Sequence, residues 1–271
     1  MQVGQPSRTA MAVAHARADH QIVDGARVFA DPLAVRIVEG DDRGANDFQE
    51  GLDDDAVRHR RLLIAARSRF ADEAVAAAID RGVDQVVVLG AGLDTAAYRN
   101  TRADIRFFEV DHPVTQEWKR QRLARTGIEV PASLTFAPVD FEQSTLADGL
   151  AAVGFDRGRG VIFVWLGVVV YLTRQSIEDT LRYIAEQDGP VEVVFDYRYP
   201  VAAPDRQRVD RVAAVGEPWL SFFDEDEMRS LLQSLGYERI RDLSAARILD
   251  DYGIASRPTD SVVHLVHAGA R

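Results

Sequence analysis

The pattern of hydrophobic and polar positions changes its period near Gly82, and the chain divides there into two parts. Before Gly82, apolar residues recur at helical spacing. They predict helices over residues 7–23 and 56–81, with a short helix opened by Pro32 between them. After Gly82, short runs of β-branched residues alternate with helical segments. The pattern therefore predicts a helical N-terminal part followed by an α/β core.

The second part is predicted to contain seven strands and five helices. The strands are Gln85–Leu89, Ile105–Val110, Leu134–Pro138, Val161–Leu166, Val191–Phe195, Glu238–Asp242 and Val262–Val266. The helices lie near residues 95–99, 114–125, 146–153, 174–186 and 226–235. Repeated strand–helix units imply a parallel sheet with helices on both faces. The last two strands have no long helix between them, which indicates an antiparallel hairpin at one edge.

These elements predict one α/β domain over residues 1–271. We expect a three-layer, Rossmann-like fold with a mostly parallel seven-stranded sheet and an antiparallel edge hairpin. Residues 1–82 are expected to form a helical cap over the carboxyl edge of the sheet, where doubly wound folds bind ligands. Residues 83–271 are expected to form the core.

Composition narrows the classes of partner. A net charge of −11 argues against nucleic acid, because phosphate contacts require clustered Lys and Arg. The chain has no cysteine, so it has neither disulfides nor thiolate metal sites, and no metal site is predicted. The longest apolar run, residues 161–172, is too short to span a bilayer. The first residues lack the features of a signal peptide. We therefore expect a soluble cytoplasmic protein with a small-molecule substrate.

The most informative stretch is the glycine turn that follows the first predicted strand. Gly90-Ala91-Gly92 allows a ligand to approach the backbone without meeting a side chain, and Asp94 and Thr95 are placed to cap the next helix. Thr95 stands where a dinucleotide-binding turn has its third glycine, and the Asp94 carboxylate would repel a pyrophosphate. A cofactor without phosphate groups therefore fits better. A turn that binds nothing is the alternative.

The segment Val88–Arg99 resembles the S-adenosylmethionine (SAM) motif of the leucine carboxyl methyltransferase family, which includes bacterial polyketide O-methyltransferases. The motif is Val-Leu-Gly-Ala-Gly-Leu-Asp-Thr-x-x-Tyr-Arg, and its Leu-Asp-Thr extension is specific to that family. Further segments match at the family spacing: Phe29–Ala34, Ala66–Phe70, Glu109–Pro113, Pro138–Phe141 and Val170–Thr173. The resemblance covers nearly the whole chain. It implies a class I methyltransferase fold and SAM as the cofactor, bound in part by Gly90, Ala91 and Gly92.

Two acids after the second and third strands are candidates for binding the nucleoside. Asp111 lies about twenty residues beyond the glycine turn, where an acid reads ribose hydroxyls in such folds, and the family uses the matching acid in this way. Its alternative role is to cap the following helix, and Glu109, inside the strand, is the weaker candidate. Asp140 can accept from an adenine amino group while Phe141 offers backbone polar groups to the ring edge.

The resemblance also assigns roles to residues near the methyl group. Relatives have an arginine aligned with Arg67 that pairs with the methionine carboxylate, and the guanidinium fork suits that contact. The role of Arg69, two positions away, stays undecided. Tyr171 is either a packed aromatic or the residue whose hydroxyl lies beside the substrate's nucleophilic oxygen.

One position departs from the family. Many relatives carry an acid five residues before the tyrosine aligned with Tyr171, and here that position is Leu166. Because an unpaired buried ammonium is costly, we expect backbone carbonyls near Gly90 and Leu166 to accept from the cofactor's ammonium. The apolar Leu166 would instead pack on substrate or cofactor, which favours an aromatic or polyketide-like acceptor.

The predicted function is a SAM-dependent O-methyltransferase acting on a small-molecule carboxylate. A carboxylate is already ionised at neutral pH and needs no base, and none of the six histidines has a recognisable acid partner in the sequence. The alternatives are hydroxyl methylation of a natural product, a nicotinamide-dependent oxidoreductase, which Asp94 and Thr95 disfavour, and a non-catalytic SAM-binding protein. The acidic residues 40–55, interpreted as a mobile loop, and residues 199–219 are expected to shape the acceptor pocket.

Overall fold

The computed structural model describes residues 8–40, 53–141, 143–200 and 218–270. Its N-terminal part consists of three helices, α1 (Arg8–Val23), α2 (Ala34–Ile37) and α3 (Asp54–Asp80). The Asp53 side chain caps α3 by accepting from the Ala56 backbone N–H at 2.7 Å. Gly82 follows the helix with φ +98°, the left-handed conformation in which a glycine commonly ends a helix. The α2 helix begins two residues after Pro32, because Pro32 and Leu33 form a turn instead.

Seven strands form one sheet, as predicted. They are β1 (Gln85–Leu89), β2 (Arg106–Asp111), β3 (Leu134–Pro138), β4 (Val161–Trp165), β5 (Val191–Arg198), β6 (Arg239–Ser244) and β7 (Val263–Ala270). Their order in the sheet is β3-β2-β1-β4-β5-β7-β6. The first five strands are parallel, whereas β7 runs antiparallel to both β5 and β6. The carboxyl ends of five strands therefore meet at one edge.

The antiparallel edge differs in detail from the predicted hairpin. Strand β7 lies between β5 and β6, and its pairing with β5 covers eight residues, from Val191–Ala270 to Arg198–Val263. This long register explains why β5 and β7 both extend beyond their predicted ends. A short helix, α9 (Ala245–Asp251), and the 3₁₀ turn Pro258–Val262 connect β6 to β7, and the sequence analysis missed both.

The remaining helices cover the two faces of the sheet. They are α4 (Ala96–Arg99), α5 (Pro113–Arg125), α6 (Leu146–Ala152), α7 (Arg174–Ala185) and α8 (Glu225–Ser234). Alternate residues of β1 enter different core clusters, with Val87 packed on the α6–α7–α8 face and Val86 on the α3 face. This arrangement gives the predicted three layers.

Helix α1 closes over the carboxyl edge of the sheet, as expected, whereas α3 packs on one face of the sheet. Ala14 and Ala18 of α1 pack in one cluster with Leu93, which follows the glycine turn. The guanidinium of Arg17 donates to the Leu93 carbonyl oxygen at 2.7 Å, which ties α1 to that turn. Within the described ranges, no helix has the length and apolar content needed to cross a membrane.

Candidate functional site

A cleft of about 1590 Å³ opens at the carboxyl ends of β1, β2, β4 and β5. Helices α1 and α3 and the segment around Trp219 form its other walls. Single-ligand sites usually have volumes of roughly 300–1,000 Å³, so this cleft has room for a cofactor and a second molecule. All nine residues that the sequence analysis names as candidate site residues line it: Arg67, Gly90, Ala91, Gly92, Asp111, Asp140, Phe141, Leu166 and Tyr171.

The glycine turn is held close to neighbouring backbone and side chains. Gly90 has φ +64°, and a Cβ atom there would lie 2.6 Å from Cγ2 of Val168, so no other residue fits this position without displacing its neighbour. The backbone N–H groups of Gly90 and Ala91 donate to the Val110 carbonyl oxygen at 2.9 and 3.1 Å. The Asp94 side chain accepts from the Ala96 backbone N–H at the start of α4, as predicted, whereas the Thr95 hydroxyl donates to Asp31 and does not cap the helix.

Asp111 at the end of β2 is joined to this turn. One carboxylate oxygen accepts from the Gly92 backbone N–H at 2.6 Å, and the other accepts from the His112 backbone N–H at 2.7 Å. Burial raises the pKa of Asp111 above its ordinary value, although these two N–H groups oppose the shift. Each oxygen keeps a lone pair that can accept a further hydrogen bond. The site therefore offers a fixed acceptor pair for a diol next to the glycine turn.

The other predicted acids differ in their position relative to the cleft. Asp140, after β3, borders the cleft and accepts from the Gln143 side-chain amide at 2.6 Å. Phe141 beside it is 64% exposed, which leaves an aromatic face open to a ligand. Glu109 is fully buried, accepts from Lys119 Nζ at 2.7 Å and does not line the cleft.

Of the two arginines in the long helix, Arg67 reaches the cleft and Arg69 does not line it. Gly167, after β4, has φ +70°, and a Cβ atom there would lie 3.1 Å from Nη1 of Arg67. The glycine therefore allows the guanidinium to lie against this turn. Arg69 instead donates to Glu73 at 2.7 Å and stacks over the Tyr252 ring at 4.0 Å.

Asp196 on β5 is a cleft residue that the sequence analysis missed. Its Oδ2 accepts from Nη1 of Arg67 at 3.2 Å, and its Oδ1 accepts from the Gly167 backbone N–H at 2.5 Å. Its side chain is only 10% exposed. The signal available in the sequence was a lone acid directly after the apolar run Val193–Phe195, since a charge at the end of a buried strand needs a partner.

Leu166 and Tyr171 border the region beyond the β4 end. Leu166 directly follows β4 and packs against the α3-side core while lining the cleft. Tyr171 ends the 3₁₀ turn Val169–Tyr171. With Trp219, it packs against Ala12 of α1. This half of the cleft is therefore aromatic and apolar.

The structure corrects the expectation that no histidine has an acid partner. His59 on α3 contacts Asp260 through Nε2 and Oδ2 at 2.7 Å, and both residues line the cleft. Asp260 is fixed in turn, because its Oδ2 accepts from the Arg257 backbone N–H at 2.6 Å. Three further histidines have acid partners outside the cleft: His20 with Asp24, His264 with Asp242, and His267 with Glu192.

One face of α3 carries His59 and Arg67, whose acid partners Asp260 and Asp196 lie on other elements of the cleft wall. His59, Leu63 and Arg67 are spaced four residues apart, so they share a helix face, and all three line the cleft. At 1.5 Å per residue, the outer two are about 12 Å apart along the helix axis. Residues 40–55 and 199–219 are expected to shape the acceptor pocket. Most of both segments, residues 41–52 and 201–217, lies outside the described ranges.

Comparisons with known proteins identify a family, similar curated proteins and a similar fold. A family model described as leucine carboxyl methyltransferase matches residues 10–185. A candidate SAM-dependent methyltransferase of Bacillus subtilis is 28% identical and covers 99% of both chains. One from Streptomyces coelicolor is 31% identical over 82% of this chain and 81% of its own. Among solved structures, a DUF574 family protein from Streptomyces avermitilis matches with a TM-score of 0.62 and 18% identity, over 95% of this chain and 97% of its own.

Proposed function

The chain belongs to the leucine carboxyl methyltransferase family and is a SAM-dependent methyltransferase, and on that premise we propose that it methylates an oxygen atom of a small organic acceptor. The family membership sets the nicotinamide-dependent alternative aside. What the family does not fix is which residues hold the cofactor and what chemistry the acceptor has.

The donor set of the cleft fits SAM. The observation that carries this assignment is the contact between Gly92 and Asp111, which fixes a partly buried carboxylate beside a turn whose Gly90 no larger residue fits without displacing Val168. In the proposed arrangement, Asp111 accepts from the two ribose hydroxyls and Asp140 accepts from the adenine amino group, next to Phe141. The guanidinium of Arg67 binds the methionine carboxylate. When bound, the cofactor supplies a methyl group made electrophilic by the adjacent sulfonium.

A carboxylate acceptor is supported by three arginines among the residues that line the cleft, Arg60, Arg198 and Arg257. Arg198 lies 4.4 Å over the Trp219 ring, and Arg257 also pairs with the Asp55 carboxylate. Cations beside an aromatic wall suit an acid with an apolar or aromatic body, which Leu166 would contact. In this proposal, the Tyr171 hydroxyl orients the acceptor oxygen. A carboxylate is ionised at neutral pH, so this reaction needs no base.

The His59–Asp260 pair favours a second candidate, a hydroxyl acceptor. Because the Asp260 carboxylate can only accept while ionised, Nε2 of His59 carries the proton, and Nδ1 then has its lone pair available. Nδ1 makes no hydrogen bond to any described residue. A histidine held by a buried acid is the usual arrangement of a general base, which an alcohol or phenol requires and a carboxylate does not.

Calorimetry tests the cofactor assignment. Asp111→Ala should weaken SAM binding about tenfold or more, because each hydrogen bond to a charged group is worth roughly 1.5–3 kcal/mol. Wild-type protein should bind SAM and S-adenosylhomocysteine but not NAD. Unchanged SAM affinity in a folded Asp111→Ala variant would remove this residue from the site.

A metabolite extract incubated with methyl-labelled SAM tests the acceptor. A methyl ester releases labelled methanol in mild base, whereas an aryl or alkyl methyl ether keeps its label. With a carboxylate acceptor, His59→Gln should leave the rate nearly unchanged. With a hydroxyl acceptor, the label should be stable to base and His59→Gln should lower the rate 10²–10⁴-fold, the usual contribution of a general base.

A further inference from the structure

The carboxyl ends of β4 and β5 hold an ion pair that faces the cleft. Asp196 is nearly buried and is fixed by the Gly167 backbone N–H at 2.5 Å and by Nη1 of Arg67 at 3.2 Å. Gly167 is in the left-handed region, which brings its N–H toward the acid and leaves space for the guanidinium. Three residues from α3, the β4 turn and β5 therefore build one charged corner of the cleft.

Neither member of this pair uses all of its hydrogen-bonding capacity. A carboxylate has about four lone-pair positions, and among the described residues two of them are occupied in Asp196. A guanidinium has five N–H donors, and Nε of Arg67 is buried with no hydrogen-bond partner among the described residues. Buried polar groups are usually satisfied, so an orphaned donor at the wall of a cleft points to a ligand.

The position of the pair in the sheet separates it from the nucleoside acids. Asp111 and Asp140 follow β2 and β3, on one side of the glycine turn that ends β1. The Arg67–Asp196 pair lies at β4 and β5, on the other side. Since neighbouring strands are about 4.8 Å apart, β1 and β5 are separated by roughly 10 Å. Nucleoside and amino-acid parts of one cofactor are expected at opposite sides of such a turn.

We propose that Asp196 binds the α-ammonium of SAM while Arg67 binds its α-carboxylate, so that the ion pair recognises the zwitterion as a unit. This inference rests on the proposed function, because it takes SAM as the ligand. It replaces the expectation that backbone carbonyls near Gly90 and Leu166 hold the ammonium. Leu166 has no charge to offer, and a carboxylate offsets the desolvation of an ammonium better than carbonyl dipoles do.

The proposal explains why the acid and the arginine lie together. A free cleft carboxylate would attract any cation, and a free guanidinium would attract any anion. Paired at 3.2 Å, the two side chains partly neutralise each other. A ligand then binds well only if its ammonium meets Asp196 and its carboxylate meets Arg67. Selection for an amino-acid end should therefore be lost when either side chain loses its charge.

The test compares ligands that differ only at the amino-acid end. Calorimetry would use S-adenosylhomocysteine, its deaminated analogue, which keeps the carboxylate, and 5′-methylthioadenosine, which lacks both groups. Wild-type protein should bind the deaminated analogue about tenfold more weakly than S-adenosylhomocysteine. Asp196→Asn, which keeps an acceptor for the Gly167 N–H, should bind S-adenosylhomocysteine about tenfold more weakly and no longer distinguish it from the deaminated analogue. A tenfold change corresponds to about 1.4 kcal/mol.

Two controls separate this binding role from a structural one. Affinity for 5′-methylthioadenosine should stay within about twofold in Asp196→Asn, the precision needed to resolve a tenfold effect. Glu192→Gln, on the same strand and in a similar arginine pair, should leave all three affinities unchanged. An equal loss for all three ligands in Asp196→Asn would show that the acid supports the fold, and would overturn the proposal.

The wild-type comparison remains decisive if the variant fails to fold. Equal affinity of wild-type protein for S-adenosylhomocysteine and its deaminated analogue would overturn the ammonium assignment while leaving the proposed function intact. Binding of none of the three ligands would contradict the proposed function itself, and the inference with it.

Discussion

Helix α3 and strand β5 are joined at two points by an arginine–carboxylate pair, and the two pairs differ in how completely they are satisfied. At the amino end of β5, Arg81 donates to Glu192 through Nε at 3.1 Å and through Nη2 to both oxygens at 2.7 and 2.6 Å. His267 on β7 contacts the same carboxylate at 2.5 Å. Each oxygen of the Glu192 carboxylate therefore has two hydrogen-bond partners.

At the carboxyl end of β5, the Arg67–Asp196 pair has one contact at 3.2 Å between its charged groups. Arg67 keeps a buried, unpartnered Nε among the described residues, and the pair borders the cleft. The comparison teaches that two similar pairs can differ in how much hydrogen-bonding capacity they leave for a ligand. We expect the saturated pair to contribute to stability and the unsaturated pair to contribute to binding.

The largest expected effect comes from breaking the saturated pair. Glu192→Gln should lower the free energy of unfolding by about 1.5–3 kcal/mol, the range for hydrogen bonds to a charged group. The cost stays below that of a fully buried pair, because Arg81 is half exposed and is resolvated. Urea denaturation gives the stability, and SAM affinity should not change. Weaker SAM binding in this variant would contradict the expectation that the Arg81–Glu192 pair affects stability alone.

Acid titration sharpens the same contrast. Burial by itself raises the pKa of Glu192, but the hydrogen bonds from His267 and Arg81 outweigh burial and lower the pKa to about 2. A carboxylate whose pKa falls on folding stabilises the protein above its unfolded value, roughly 4.5, and this contribution is lost as the pH falls toward 2. The stability difference between wild type and Glu192→Gln should therefore shrink between pH 4.5 and pH 2. Parallel stability curves would contradict this.

At the unsaturated pair, the expected change lies in binding. Arg67→Lys should weaken SAM binding about tenfold, because an ammonium cannot reproduce the guanidinium fork toward a carboxylate. Its stability should change little, since only one hydrogen bond to Asp196 is at stake. Arg69→Lys is the matched control, as Arg69 stacks on Tyr252 and pairs with Glu73. If Arg69→Lys is the damaging change, Arg67 is the wrong arginine.

Sequence reasoning succeeds for residues whose contacts are set by local chain geometry. The glycine turn and Asp111 could be predicted because they lie at consecutive strand ends, and local chain geometry brings them together through Gly92. Strand β1 matches its predicted bounds for the same local reason, since its run of three valines is bounded by turn residues, and β3 also matches its predicted bounds.

Contacts between distant segments could not be predicted in this way. Asp196 lies 129 positions from Arg67, and Asp260 lies 201 positions from His59. Each pair depends on how α3 packs against β5 and against the turn before β7. The hydrophobic pattern of a single segment does not encode that packing. The position of the Arg67 guanidinium likewise depends on Gly167, a residue of another element whose missing Cβ leaves space for it.

The smallest effect tests that last contact, and it perturbs the unsaturated pair without changing any charge. In Gly167→Ala, the added Cβ would lie 3.1 Å from Nη1 of Arg67. The obstructing atom is the end of a flexible side chain, so the guanidinium moves and the backbone does not. We expect SAM affinity to fall about threefold, which is roughly 0.6 kcal/mol.

The strain of an alanine at positive φ needs its own control, and Gly25→Ala supplies it. Gly25 has φ +62°, close to the +70° of Gly167, and a Cβ there meets nothing within 4 Å. Both variants should lose about 1 kcal/mol of stability, the usual cost of a left-handed alanine, but only Gly167→Ala should lose SAM affinity. In an Arg67→Lys background, the Gly167→Ala effect on binding should vanish, because the atom it displaces is gone. A binding loss that persists there would mean that Gly167 acts through the backbone N–H it donates to Asp196, and the geometry of the acid, rather than of the arginine, would then set the affinity.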